Sequence, residues 1–242
     1  MDDFYEANAE WYGALTAAWQ EPTNAAVRSL VGWIDGGTAV DIGSGVGYCL
    51  PVLRELGAER LYAVEPSRAM RTGLVATVAR DPDLLARTTV VGAAVPEALD
   101  RLPGEWNAVV MLNAIGHLTD DGRTRLWTAL DERLAPRGRF VVALQPPESA
   151  TTIPWTDFGT VAIGDDRIRT RGRAEPLDRH RVEWTMEWTL QDRDGREREQ
   201  RTAVHVWRAL SVTDLADEAE AHGMARLETA GDGMFVGFGR LG

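Results

Sequence analysis

The chain has 242 residues, 44% hydrophobic and 26% charged, which suits one sizeable globular domain and excludes collagen-like, coiled-coil and disordered chains. Its net charge of −11 argues against nucleic acid as a partner, because a phosphate backbone demands a basic face. Every basic residue is arginine, so a lysine Schiff base and a phosphate-loop lysine are both excluded.

The opening residues "MDDFYEANAE" are acidic and lack the basic and apolar segments of a signal peptide. No apolar run approaches the roughly 18 residues of a membrane span, so a soluble cytoplasmic protein is expected. "FYEANAEWYGALTAAW" places Tyr5, Trp11, Tyr12, Leu15 and Trp19 at helical spacings, and "PTNAAVRSLVGWI" predicts a second helix after a break at Pro22-Thr23. From Thr38 strands and helices alternate: strand "TAVDI", helix "YCLPVLREL", strand "RLYAVEP", helix "SRAMRTGLVATVA", strand "TTVVGAA", strand "WNAVVMLNAI", helix "RTRLWTALDERL" and strand "RFVVALQ". Such alternation is the pattern of an α/β protein with a mostly parallel sheet covered on both faces.

After Pro146-Pro147 the pattern becomes antiparallel. "RHRVEWTMEWTLQDRDGREREQRTAVHVWRAL" alternates polar and apolar residues about "RDGR", a hairpin tip. The basic run "RIRTRGR", Arg167 to Arg173, reads as a solvated strand edge. A helix "VTDLADEAEAHG" and a strand in "GDGMFVGFGR" close the chain. The expected organisation is one domain: a helical lid (1–36), a core (37–145), a β excursion (146–210), and a final helix and strand (211–242).

The segment "VDIGSGVG" carries Gly43, Gly45 and Gly47 directly after a strand ending at Asp41. A phosphate loop would need a lysine. A dinucleotide fingerprint would need a sixth-position glycine where Tyr48 stands. A carboxylate at the loop's mouth opposes a pyrophosphate and suits a cationic cofactor without phosphate. S-adenosylmethionine fits, with its ammonium and sulfonium, and Glu65 at the end of strand two is placed to accept from both ribose hydroxyls.

These motifs resemble the class I S-adenosylmethionine-dependent methyltransferases across about residues 38–144. "VDIGSGVG" is similar to their first motif, "YAVEPS" to their ribose-acid strand, "EWNAVVMLNAIGHL" to their fourth-strand motif and "LAPRGRFVVAL" to the turn before strand five. The resemblance implies a Rossmann-like seven-stranded sheet, its last two strands an antiparallel pair near Ala203–Ala209 and Met234–Gly239. It places the cofactor on Asp41, Gly43, Ser44, Gly45, Gly47, Glu65, Pro66, Met70, Ala93, Ala94, Asn113 and Leu118. The chain departs from the family at Ala93, where an acid usually binds the adenine amino group; the backbone of Ala93 and Ala94 remains to read that edge.

A looser likeness, in "AEWYG", "NAIGHL", "VEWTMEW" and "GMFVGFG", runs to the N,N-dimethyltransferases of deoxyamino-sugar biosynthesis. It implies that Tyr12 and His117 line the reaction site, His117 as a proton acceptor from the amine. Tyr5, Trp19, Trp184, Trp188, Trp207 and Arg208 are candidates to hold a small-molecule substrate. O-methylation of a phenol or sugar hydroxyl, or a non-catalytic binding role, are the alternatives. The single cysteine, Cys49, reads as a packing residue, His180, His205 and His222 lack metal spacing, and no metal is expected. The Trp-rich hairpin would offer a surface for a homodimer.

Overall fold

The computed structural model describes residues 4–241. The chain forms two compact units. One holds Pro146–Ala209 with the N-terminal segment ending at Trp19; the other holds Gln20–Gln145 and Leu210 onward.

In the larger unit α1 (Ala9–Val31, shared with the other unit) leads to β1 (Thr38–Ile42), α2 (Leu50–Glu55), β2 (Arg60–Val64), α3 (Arg68–Val78), α4 (Pro82–Arg87) and β3 (Thr88–Val91). Next come β4 (Trp106–Leu112), α5 (Asp120–Arg133) and β5 (Leu134–Ala143). After the excursion of β6 (Ile153–Ile163), β7 (Asp166–Pro176), β8 (Arg181–Gln191) and β9 (Glu197–Arg208), the chain returns through α6 (Val212–Glu220), β10 (Met224–Ala230) and β11 (Phe235–Arg240).

The seven-stranded sheet has the order β10-β11-β5-β4-β1-β2-β3. β1 pairs in parallel with both β2 and β4, while β11 runs antiparallel to β5 and β10 antiparallel to β11. The strand order therefore reverses at β1, and in open α/β sheets ligands bind beyond the carboxyl ends of the strands at such a point. Every residue of β1 is buried, as the apolar run "TAVDI" demands of a central strand.

Alternate strand residues feed two apolar layers. One gathers Val40, Ile42, Val109, Phe140, Trp127 and Phe238; the other gathers Ala39, Leu61, Ala63, Val110, Leu50 and Leu74. Trp127 meets Phe140 and Phe238 edge-on at 5.4 and 5.2 Å.

Several expectations about the fold need correction. The last antiparallel pair is β10 with β11, not Ala203–Ala209 with Met234–Gly239; Ala203 to Arg208 lie in β9, whose partner is β8. Its alternation is that of any antiparallel strand, so period alone did not assign the sheet. No break occurs at Pro22, which lies inside α1. Proline removes one hydrogen bond to the carbonyl of Ala18, but both residues face solvent, where water can replace it. α4 was not anticipated, although Asp81 caps it, accepting from the N–H groups of Asp83 and Leu84, with Pro82 at its first position.

In the smaller unit β6-β7-β8-β9 form an antiparallel sheet. The turn between β8 and β9 is built on Asp192, whose carboxylate accepts from the N–H groups of Asp194 and Arg196, with Gly195 at φ +77°. "RIRTRGR" is not at an edge: β7 is an inner strand. Its alternating arginines share a face, where Arg169 pairs with Asp157, Arg171 with Glu187, and Arg171 and Arg173 lie over the Trp155 ring. The N-terminal segment packs on Ile168 and Trp188 through Trp11 and Phe4, and Arg201 caps the Trp11 ring at 3.9 Å while bonding Glu10. Among the described residues no helix is long and apolar enough to cross a membrane.

Candidate active site

The glycine loop begins where β1 ends. Gly43, Gly45 and Gly47 adopt φ values of +73°, +56° and +83°, a left-handed region that disfavours any Cβ. A Cβ on Gly43 would stand 2.6 Å from the Cβ of Ala114, so the loop lies against the chain leaving β4. The N–H groups of Gly43 and Ser44 donate to the Val64 carbonyl at 2.8 and 3.0 Å, tying the loop to the end of β2.

Two carboxylates flank this loop, and both are buried. Asp41 accepts from the Ser44 hydroxyl at 2.7 Å and is 2% exposed. Burial pushes its pKa up to about 6, with the Ser44 bond pulling the other way. Among the described residues no arginine or histidine forms an ion pair with it. Glu65, 4% exposed, accepts from the N–H of Gly45 at Oε2 and from the N–H of Ser67 at Oε1, each at 2.8 Å. Glu65 was expected as a ribose acceptor; here it also clamps the loop.

The other predicted cofactor residues fall at the carboxyl ends of β1 to β4. Pro66 is exposed, while Met70, whose N–H is capped by Ser67 Oγ, is almost wholly enclosed. Ala93 spends its N–H on the Val91 carbonyl and the Ala94 carbonyl accepts from Ala98, so two of the four backbone groups there are engaged within the chain. Asn113 follows β4 at φ +53°, a strained position that asparagine tolerates better than most residues and that is common at functional sites. Ile115–His117 form a single 3₁₀ turn closed by Leu118, which is buried.

His117 is exposed at the surface, although the protein around its ring disfavours the imidazolium and lowers its pKa below 6.5. Water at its open side limits that shift, so the chemistry rests on its direction: a neutral imidazole at pH 7.

The substrate candidates lie in the smaller unit. Tyr5 and Tyr12 meet edge-on at 6.1 Å. Trp184 and Trp207 pack together around Val182 and Ala174, and Trp188 packs with Trp11 and Ile168. These three tryptophans are 7%, 3% and 2% exposed, so they form that unit's core rather than an open wall. Trp19 is exposed and Arg208 half-buried at the end of β9.

One residue was missed. Arg71 donates to the carbonyls of Glu65 and Pro66 at 2.7 and 2.6 Å, and a Cβ on Gly92 would lie 3.1 Å from its Cζ. It spans the ends of β2 and β3 beside Ala93. The available signal was an arginine one turn into the helix that follows the acid. Among the described residues no group of three or more His, Cys, Asp or Glu is placed to hold a metal ion.

A methyltransferase domain model matches residues 20–224, so the chain belongs to the methyltransferase domain family. With its seven-stranded sheet and aspartate-led glycine loop, it is a class I S-adenosylmethionine-dependent methyltransferase. Similar solved structures include CalS10 bound to S-adenosylmethionine, an amino pentose methyltransferase from Micromonospora echinaspora involved in calicheamicin biosynthesis. It is 17% identical over 100% of this chain and 98% of its own, with a TM-score of 0.71. Streptomyces venezuelae DesVI is 18% identical over the whole of both chains, with a TM-score of 0.72. The sugar N-methyltransferase KedS8 from Streptoalloteichus is 18% identical, covers 100% of this chain and 89% of its own, and has a TM-score of 0.65. No curated protein matches the chain.

Proposed function

We propose that the protein transfers the methyl group of S-adenosylmethionine to a nitrogen of a small-molecule acceptor, an amino sugar or similar metabolite. The observation that carries the cofactor assignment is a buried carboxylate, Asp41, beneath a left-handed glycine loop at the point where strand order reverses. Such a site repels a pyrophosphate and attracts an ammonium or sulfonium. The residues fit the cofactor: the loop lacks side chains where a ligand must approach, and Asp41 carries a charge that only a cation would make favourable there. Choice of a nitrogen acceptor is supported by the "IGH" turn and by neighbours that are an amino pentose methyltransferase and a sugar N-methyltransferase.

The bound cofactor supplies a methyl carbon already activated by its sulfonium. The chain's work is then alignment, which can contribute roughly 7–11 kcal/mol. Asp41 holds the cationic end, Glu65 steadies the loop and faces the ribose hydroxyls, and the chain around Asn113 closes the other wall. His117, neutral at pH 7, can accept the acceptor's N–H at a ring nitrogen and so turn the amine lone pair. Its depressed pKa makes it a poor proton store, so orientation is its main contribution and the proton passes on to water.

Tyr12 remains the assigned aromatic of the acceptor, with Tyr5, Trp19 and Arg208 as further contacts. The division into lid, core, excursion and closing helix–strand pair belongs to the same proposal. Incubation with methyl-labelled cofactor and a panel of amino-sugar and phenolic acceptors tests it. Label on an amine supports the reading, and label on a hydroxyl alone would replace it with O-methylation.

A further inference from the structure

Arg123 lies one turn into α5 and is only 4% exposed, an unusual place for a guanidinium. A cation so buried is tolerated only when paired and fully hydrogen-bonded. Glu218 of α6 supplies the pairing: Nε of Arg123 donates to both its oxygens at 3.1 and 3.0 Å, and Nη2 donates to Oε1 at 2.8 Å. Nη2 also reaches Asp120 at 2.7 Å. Glu218 is itself fixed by the indole N–H of Trp127 at 3.0 Å, and its carbonyl accepts from Nδ1 of His222 at 2.7 Å.

The remaining bond has a different destination. Nη1 donates to the carbonyl of Leu118 at 3.2 Å. Leu118 closes the turn that carries His117, whose N–H bonds Ala114 as that of Leu118 bonds Ile115. Thr119, next in the chain, caps α5 through the N–H of Gly122. The short segment from His117 to α5 thus has its carbonyl side anchored by a charge whose orientation is set from α6, 95 residues away.

We propose that Arg123 is a positioning residue for methyl transfer, with Glu218 aiming its guanidinium so that the Leu118 carbonyl, and with it the His117 turn, is held in register with the end of β4. The proposal rests on the reading that this turn belongs to the methyl-transfer site. A lysine could not replace Arg123, because one ammonium cannot grip a carboxylate bidentately and reach the carbonyl at once.

The test uses S-adenosylhomocysteine, the reaction product, as calorimetric probe, so no acceptor is needed. It also follows the His117 ring Cε1–H resonance at pH 8, one of only four histidines in the chain. Arg123→Met should shift the His117 resonance and, by releasing Leu118, a cofactor-binding candidate of the same turn, weaken the probe about ten-fold, the scale of a lost charge-assisted hydrogen bond. Glu218→Gln should move both in the same direction, and carries the test if Arg123→Met does not fold. Trp127→Phe removes a bond to Glu218 but leaves Arg123 on Leu118; it should lower Tm and leave both readouts in place. Wild-type affinity and resonance in the folded Arg123 or Glu218 variant would overturn the proposal, as would equal shifts in Trp127→Phe. Should the wild type itself bind no probe, the proposed function falls, and the His117 resonance alone decides whether Arg123 positions the turn.

Discussion

Glu65 grips Gly45 across the end of the sheet: its Oε2 accepts the Gly45 N–H at 2.8 Å while its Oε1 accepts that of Ser67 at the same distance. One side chain therefore joins the glycine loop after β1 to the cap of α3 after β2. The residue that sequence likeness makes a ribose contact is also the latch that shapes the loop. Glu65→Ala leaves two buried N–H groups without their acceptor, at a cost of about 2–5 kcal/mol in stability. Glu65→Gln keeps one acceptor oxygen and should cost less. Urea denaturation of both variants measures this, and equal midpoints for wild type and Glu65→Ala would contradict the latch.

Asp41 predicts an exchange of stability for function. Its pKa is raised from 3.8 to about 6 by burial, so the folded state holds its proton more tightly than the unfolded state. Stability from this group is therefore present below about pH 4 and is lost as pH rises through about 6. At pH 7.5 the deficit is on the order of 3 kcal/mol, from a shift of roughly two units. Asp41→Asn keeps a partner for Ser44 and removes the charge. It should raise Tm at pH 7.5, change it little at pH 4, and weaken cofactor binding. Thermal melts at the two pH values check the sign, and a lower Tm at pH 7.5 would contradict it.

Gly43 should resist a methyl group for two separable reasons. Alanine in a left-handed conformation costs roughly 1–2 kcal/mol, and the collision with Ala114 adds about 1–3 kcal/mol. Pairing Gly43→Ala with Ala114→Gly relieves only the second. A double variant recovering part, not all, of the lost stability is the expected result of the cycle.

His117 should titrate low. The surrounding protein disfavours its imidazolium, so its NMR midpoint should lie below 6.5, and stability linked to it is lost as pH falls below that value. His117→Asn should lower kcat at least ten-fold, as expected of a group that aligns the nucleophile, while cofactor affinity stays within about two-fold. A midpoint at or above 6.5 would remove the argument for a neutral ring.

Much of the fold was legible because its signals are local. Five short apolar strands, with glycines after the first and an acid after the second, are read within a few residues of one another. Asp41, Glu65 and the "IGH" turn all fall at carboxyl ends of strands, as their positions implied. What escaped depends on distant partners. The alternation of β9, although its hairpin with β8 is readable, does not say whether its far end joins β11 in the main sheet. Nothing near Arg123 announces that Glu218 will neutralise it. The tryptophans of β8 and β9 read equally as wall or core until their exposure is known. Pro22 is the reverse case, a strong local breaker accommodated within α1 where the helix faces water.

The most direct test of the central claim is calorimetric titration with S-adenosylhomocysteine, for wild type and Asp41→Ala, at pH 8 and near pH 5. The account predicts micromolar or tighter binding to the wild type at pH 8 with little proton release. Near pH 5 binding should weaken and release approach one proton, as the ligand ammonium draws Asp41 into its ionised form, and Asp41→Ala should lose affinity at both pH values. Undiminished affinity in Asp41→Ala, or no binding by the wild type, would contradict it.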